Sequence, residues 1–528
     1  MSITPRKLTP STHTALLILC IPLALLLISP IFHIALRAAE INPSEALDYL
    51  RRPGTQAILG RSLLLVVTVS LSSCVIAVPA AWLTTRTDLI GRKFWRVALM
   101  LPLVIPSFIG AFALLGAIGQ KGFVQDWLGV ERLPSILGFW GSWLTITLFT
   151  YPYVYISARA GLRGIDPALE EASRTLGRSS LYTFWHVTLP QLRPFITTGT
   201  LLVALYTLSE FGAVSVMQYD VFSRAIFFQL NFDRSLAALL SLLLVIFTIA
   251  ILLFAGAMEG RGKYYTRGVR RQAVLVTLGR WQVVAQLFCL TITLLALVAP
   301  LGVIAYWLVN GLQHGETLRD VIGPLHRSLR VSGLAAIAGG IVALPFVFLQ
   351  VRFPGKSSQI IARSAYLGYA VPGVVIGLAL TFFGARFLLE IDVLGLENYR
   401  IIPVLIFAYL VRFLPQALGP ARAGLMQVNP GAEESGVTLG RSRPYVFATV
   451  TLPLMRSGWV AGMALVFLTT MKELPATLML APAGYDTLAT RIWSATGEAF
   501  YARGAAPALT LVAFSALTMA FILEADES

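Results

Sequence analysis

Long apolar stretches alternate with short polar ones along the whole chain. Apolar runs fall at roughly 15–37, 61–85, 97–118, 138–158, 190–217 and 236–258. A second set falls at roughly 284–309, 328–350, 362–388, 402–425, 453–480 and 504–523. Most are long enough to cross a bilayer as a helix. Backbone groups inside lipid must be satisfied within the segment, so the runs predict helices and not isolated strands. The expected architecture is an all-α polytopic membrane protein with about twelve spans in two sets of six.

One polar stretch interrupts this pattern twice. Glu170–Pro194 reads EEASRTLGRSSLYTFWHVTLPQLRP, and Glu433–Ser457 reads EESGVTLGRSRPYVFATVTLPLMRS, with 14 of 25 positions identical and no gap. Further matches flank it: Arg61-Ser62-Leu63 with Arg327-Ser328-Leu329, Pro79 with Pro345, and Pro106 with Pro372. Ser209-Glu210-Phe211-Gly212-Ala213 matches Lys472-Glu473-Leu474-Pro475-Ala476. Six spans per copy bring both halves into the membrane the same way up, as parallel repeats about an axis along the membrane normal. The repeat predicts a first unit over 1–258, a basic linker over 259–281 and a second unit over 282–528.

Composition agrees with a membrane chain: 56% of residues are hydrophobic, 13% are charged, and the mean hydropathy is +0.75. The net charge of +15 does not point to nucleic acid. The basic residues sit in alternate short loops, such as Arg86/Arg92/Lys93/Arg96, Arg159/Arg163/Arg174/Arg178 and Arg352/Lys356/Arg363, and in the linker from Arg261 to Arg280. The positive-inside rule then places these loops, the linker and both termini on the cytoplasmic side. Arg6 and Lys7 before the run Ala15–Leu36 could open a signal peptide, but the run is longer than a usual signal core and is expected to stay as the first span. Cys20, Cys74 and Cys289 stand singly inside apolar runs, so neither a zinc site nor a disulfide framework is expected. His33, His186, His314 and His326 are scattered and read as loop or interface residues.

Each repeated loop has the punctuation of a short helix. Asp166-Pro167 and Asn429-Pro430 supply an N-cap followed by proline. Glu170/Glu171 and Glu433/Glu434 lie in the first turns, facing the positive helix end. Gly177 and Gly440 suit a left-handed C-cap, and Arg178 and Arg441 follow. The expected helices lie near 166–177 and 429–440. The spacing Glu171-Ala172-Ser173, Gly177, Val187, Leu189-Pro190, repeated as Glu434-Ser435-Gly436, Gly440, Val450, Leu452-Pro453, resembles the signature of ABC importer permeases. Not every alanine of that signature is kept, and Val stands for Ile. The resemblance implies the type I importer permease fold in a bacterial inner membrane. It also implies two coupling helices, carrying Glu170, Glu171, Ala172, Gly177, Arg178, Glu433, Glu434, Gly440 and Arg441, that dock on two copies of a cytosolic ATPase. ATP and Mg would bind those partners, with no cofactor on this chain. Gly355-Lys356-Ser357 is no phosphate loop, because Gln350 stands where a Walker A loop needs glycine, and it reads as a short turn.

Ionisable residues inside spans mark pathways. Glu210 and Glu473 occupy matching places, with Lys472 adjacent, and Gly212 and Pro475 are placed to break the helices there. Glu210, Phe211, Gly212, Lys472, Glu473 and Pro475 are therefore candidates for a gate or substrate path. The bland alternative is a glutamate satisfied by Lys472 or an arginine. These segments, with Tyr219-Asp220 and Tyr485-Asp486, are similar to those of fused ferric-iron permeases, which implies a periplasmic iron-binding protein as partner. The chain has no His/Asp/Glu/Tyr cluster that would make a tight metal site. Thiamine, phosphonate or polyamine are alternative cargoes, and a secondary transporter is the alternative class. The chain shows no nucleophile–base constellation and no HExxH motif of an enzyme.

Overall fold

The structure is a computed structural model that describes residues 10–527 apart from 120–121, 131–132, 166, 231, 259–274, 317–318, 384–400 and 483. Asp166 and the linker residues from Arg261 to Arg271 thus lie outside the described residues. The described chain is helical throughout, with one isolated β-bridge between Thr87 and Val276. Nine described helices are long and apolar enough to cross a bilayer, or ten when the bent pair Lys356–Gly368 and Gly373–Phe382 counts as one. Two further expected spans are present as Phe139–Gly164 and Leu189–Ser209. Their Thr, Tyr, Pro and Arg residues lower their hydropathy. They can carry these because they pack on each other and on Pro53–Arg86, where polar side chains find partners instead of lipid.

Several expected spans are shorter or broken. The run at 97–118 divides into the helix Arg92–Ala98, a 3₁₀ turn Leu101–Val104 and the helix Ser107–Ile118. Pro106 causes the last division, because it disfavours helix in the residue before it. In the second half the matching Pro372 lies between helices that meet at 94°. The run at 190–217 stops at Ser209, and the run at 453–480 stops at Met471, each followed by a short helix, Gly212–Val216 and Pro475–Leu480. Gly355 is extended and Lys356 opens the helix Lys356–Ala370, so the expected turn there is a helix start.

The first span of each half packs on the other half. Pro10–Ala39 lies against Arg319–Arg352, Lys356–Ala370 and Gly373–Phe383 of the second half, and also against Arg234–Met258. The segment Gly279–Gln313 lies against Ser107–Ile118 of the first half and against Tyr501–Glu527. Trp307 Nε1 donates to Gly116 O at 2.8 Å across this boundary. The far end of the linker is pinned beside the loop after the second span, where Val276 N donates to Arg86 O at 2.9 Å and Leu278 N to Asp88 Oδ1 at 2.9 Å. The two buried clusters accordingly mix residues of both halves.

Within each half the helix pair that flanks the repeated loop crosses at a glycine. A Cβ on Gly199 would lie 2.7 Å from Val154 Cα, and one on Gly462 would lie 2.8 Å from Ala417 O. Small residues allow such backbone approach, which is how helices associate where lipid leaves no hydrophobic drive. Gly462→Val is expected to lower the thermal unfolding midpoint in detergent through about 1–3 kcal/mol of overpacking. Gly333→Ala, at a position with open space around it, should leave the midpoint unchanged or slightly higher.

Candidate functional site

Each repeated loop folds as a nine-residue helix, Pro167–Thr175 or Pro430–Thr438. In the second copy the Asn429 side chain accepts from Gly431 N at 2.9 Å, the expected N-cap. Gly177 and Gly440 take φ of +77° and +79°. Arg178 N then donates to Ser173 O and Arg441 N to Gly436 O, both at 3.2 Å, which closes the loop as a Schellman cap. After the cap, both chains re-enter through a π-helical turn, Phe184–Thr188 or Phe447–Thr451.

The two glutamates of each copy separate. Glu170 is 4% exposed and points inward. It accepts from Thr188 Oγ1 at 2.8 Å and lies 3.9 Å from Arg86 Nε. Arg86 also donates through Nη2 to Leu162 O at 2.8 Å and Ile165 O at 3.1 Å. The second copy repeats this clasp with a tighter ion pair. Arg352 holds Glu433 through Nε–Oε2 at 3.1 Å and Nη2–Oε1 at 3.0 Å, and reaches Val428 O at 3.1 Å. Thr451 Oγ1 donates to Glu433 Oε1 at 3.0 Å. Each arginine therefore caps the carbonyl end of the helix before the loop and fixes the first carboxylate of the loop helix. Glu434 and Ala172 are exposed and Glu171 is half-buried.

The loop tips face outward. Leu176 and Leu439, one residue before the capping glycines, are 80% and 82% exposed. Arg178 stacks over Tyr182 at 4.7 Å and Arg441 over Tyr445 at 5.0 Å. Both clasp arginines, both threonines and both leucines escaped the sequence reading as site residues. The signal was available: Arg86 matches Arg352 at the offset that pairs Pro79 with Pro345, and Thr188, Thr451, Leu176 and Leu439 lie inside the repeat.

The predicted pathway residues gather at the helix breaks. Glu210 is extended, with φ −68° and ψ 123°. Its carboxylate accepts from Ala213 N at 2.8 Å and from Ser107 Oγ at 2.8 Å, and Ser223 Oγ donates to its backbone carbonyl. Glu473 accepts from Ala476 N at 3.0 Å, the same local bond three residues on, and from Arg412 Nη1 at 3.0 Å. Thr477 Oγ1 donates to Glu473 O at 2.8 Å. Each glutamate thus satisfies the amides that its own break frees, as buried backbone requires. Arg412, and not the adjacent Lys472, pairs with Glu473. Gly373 leaves room for that guanidinium, since a Cβ there would lie 1.8 Å from Arg412 Nη1.

Lys472 instead reaches across to the first half and donates to Leu103 O at 3.2 Å. Around it Phe211 lies 5.3 Å from Trp493 between ring centroids, and a Cβ on Gly212 would lie 3.3 Å from Leu474 Cδ2. Phe211, Gly212, Lys472 and Leu474 thus close one seam between the halves, with Pro475 opening the short helix behind it.

Two clasped loops and two glutamate-capped breaks form one duplicated device, and comparison with known sequences gives the same division. Residues 73–261 and 334–523 each match the family described as the binding-protein-dependent transport system inner membrane component. The chain belongs to that family. It is 36% identical to the Fe(3+)-transport system permease protein FbpB 2 of Haemophilus influenzae, over 98% of this chain and 99% of that protein. It is 25% identical to the ferric transport system permease protein FbpB of Actinobacillus pleuropneumoniae, over 84% of this chain and 67% of that one. A shorter match, 36% over 25% of this chain, is to the molybdenum transport system permease protein ModB of Escherichia coli, covering 58% of it. The chain is a membrane transport permease subunit built on two repeats, and not an enzyme.

Removing one partner of a buried ion pair costs about 3–5 kcal/mol. Arg352→Ala should therefore loosen the second loop and speed amide hydrogen exchange across residues 430–441, with Arg352→Lys intermediate. Exchange at the wild-type rate in Arg352→Ala would show that the clasp does not hold the loop.

Proposed function

We propose that this chain is the permease of an ATP-driven importer that passes ferric iron from a periplasmic binding protein to the cytoplasm. The observation that carries the transport machinery is the duplicated loop, clasped inside and exposed at its tip. Two like surfaces on one chain suit two copies of a cytosolic ATPase, each seating Leu176-Gly177-Arg178 or Leu439-Gly440-Arg441 with Ala172 or Glu434 beside it. ATP and Mg bind on those subunits. Residues 1–258 and 282–528 are the two permease units, joined by the basic segment 259–281, with both termini on the ATPase side. The two ferric relatives, aligned over most of the chain, support the cargo.

The clasps give the proposal its mechanics. Closure of the ATPase dimer draws the tips together. Glu170 and Glu433 carry that movement through Thr188 and Thr451 into the helices that end at Glu210 and Glu473. The breaks then part at the Lys472–Leu103 seam, and the halves alternate between two facing states. At the end of the spans away from the loops, Arg61 pairs with Asp220 and the matching Arg327 donates to the carbonyls of Gly484 and Asp486, and the binding protein would dock at that end.

The test is uptake of ⁵⁵Fe into liposomes holding the permease and ATPase, with loaded binding protein outside. Uptake should need ATP inside; uptake driven by an ion gradient without ATP would refute the proposal in favour of a secondary transporter. Gly177→Val with Gly440→Val forces two side chains into left-handed backbone, costing about 1–2 kcal/mol per residue. The double variant should lose ATPase co-purification and uptake while still folding, and intact association would remove the loops from the interface.

A further inference from the structure

The seam between the halves carries four formal charges among the described residues around the two breaks, and they are not equally accessible. Both carboxylates turn back into their own breaks: Glu210 is 7% exposed and accepts from Ser107 Oγ and Ala213 N. Glu473 is 5% exposed and accepts from Arg412 Nη1 and Ala476 N. The cations are less enclosed than the carboxylates, though none of the four is exposed. The Arg412 side chain is 20% exposed, and half-buried Lys472 meets Leu103 O across the seam. Two carboxylates and two cations leave no net negative charge there. No group of three or more His, Cys, Asp or Glu that could hold a metal occurs among the described residues. The cations are also one-sided: at the matching places the first half has Ser209 for Lys472 and Phe149 for Arg412.

A bare trivalent cation would have to give up water at such a seam and pass groups of its own sign, in a medium that screens poorly. Hard anionic oxygen ligands that stay on the ion remove both obstacles. We infer that ferric ion crosses this seam still ligated by an oxygen-donor anion, phosphate or a polycarboxylate, as a near-neutral or anionic complex whose ligand meets Lys472 and Arg412. This rests on the ferric reading above and deepens it: the transported species is the complex, and the second half supplies the anion-facing wall.

The test uses the assembled transporter in liposomes, with binding protein loaded with ⁵⁵Fe and ³²P-phosphate in one arm, and ⁵⁵Fe and ¹⁴C-citrate in the other. One anion label should enter with iron at a fixed ratio; iron entering with neither overturns the inference. In parallel, Lys472→Arg should keep uptake within about threefold, Lys472→Met should lose about tenfold, and Lys472→Glu should lose more, as expected for a charge that meets an opposite charge. ATPase activity stimulated by the binding protein reports that each variant is assembled. Iron uptake as fast as wild type, or faster, in Lys472→Met or Lys472→Glu also overturns the inference. A wild-type transporter that moves ³⁵S-sulfate but no ⁵⁵Fe would remove the ferric cargo and leave an anion-facing seam.

Discussion

One guanidinium in each half ties together three helices: the end of its own span, the helix before the repeated loop and the loop helix. Arg86 stands at the end of its span, holds the carbonyl end of Phe139–Gly164 and lies beside Glu170 of the loop helix. Glu170 in turn accepts from Thr188, at the π-helical turn that opens Leu189–Ser209. Arg352, Glu433 and Thr451 do the same in the second half. A buried ion pair of this kind adds little to net stability against an apolar alternative, but its removal leaves an uncompensated charge. Its value here is connection: an exposed tip, a fixed base and the helix that leads to the break become one stiff unit.

The breaks share that economy of parts. Each glutamate accepts from the amide three residues on, so the freed backbone is satisfied locally and the helix can stop without a lipid-exposed polar group. The repeat is nonetheless broken chemically. A hydroxyl from Ser107 completes Glu210, whereas a guanidinium from Arg412 completes Glu473 over Gly373. The clasp and the break occur in both halves, whereas Ser209 and Phe149 stand where the second half has Lys472 and Arg412.

Much of this was legible in the chain. The loop helices, their asparagine and glycine caps and the breaks at Gly212 and Pro475 are local matters of backbone preference, and local residues encode them. What the chain concealed is tertiary. Arg86 and Arg352 read as ordinary loop charges until folding brings them under glutamates some eighty positions away. Glu170, expected among the coupling residues, is buried beside Arg86 at the base of the loop helix. Lys472 and an arginine were both open as partners of Glu473; Arg412 from a different helix takes that place, and Lys472 reaches Leu103 O instead. Packing of each first span on the opposite half had no local signal at all.

In the proposed coupling, movement of the tips reaches the seam through the clasps. The direct measurement is the distance between spin labels on either side of the Leu103–Lys472 seam, in the ATPase-bound transporter with and without ATP. An ATP-dependent change is expected in the wild type and none in an Arg86→Ala, Arg352→Ala double variant that still binds the ATPase. An equal change in both would contradict it.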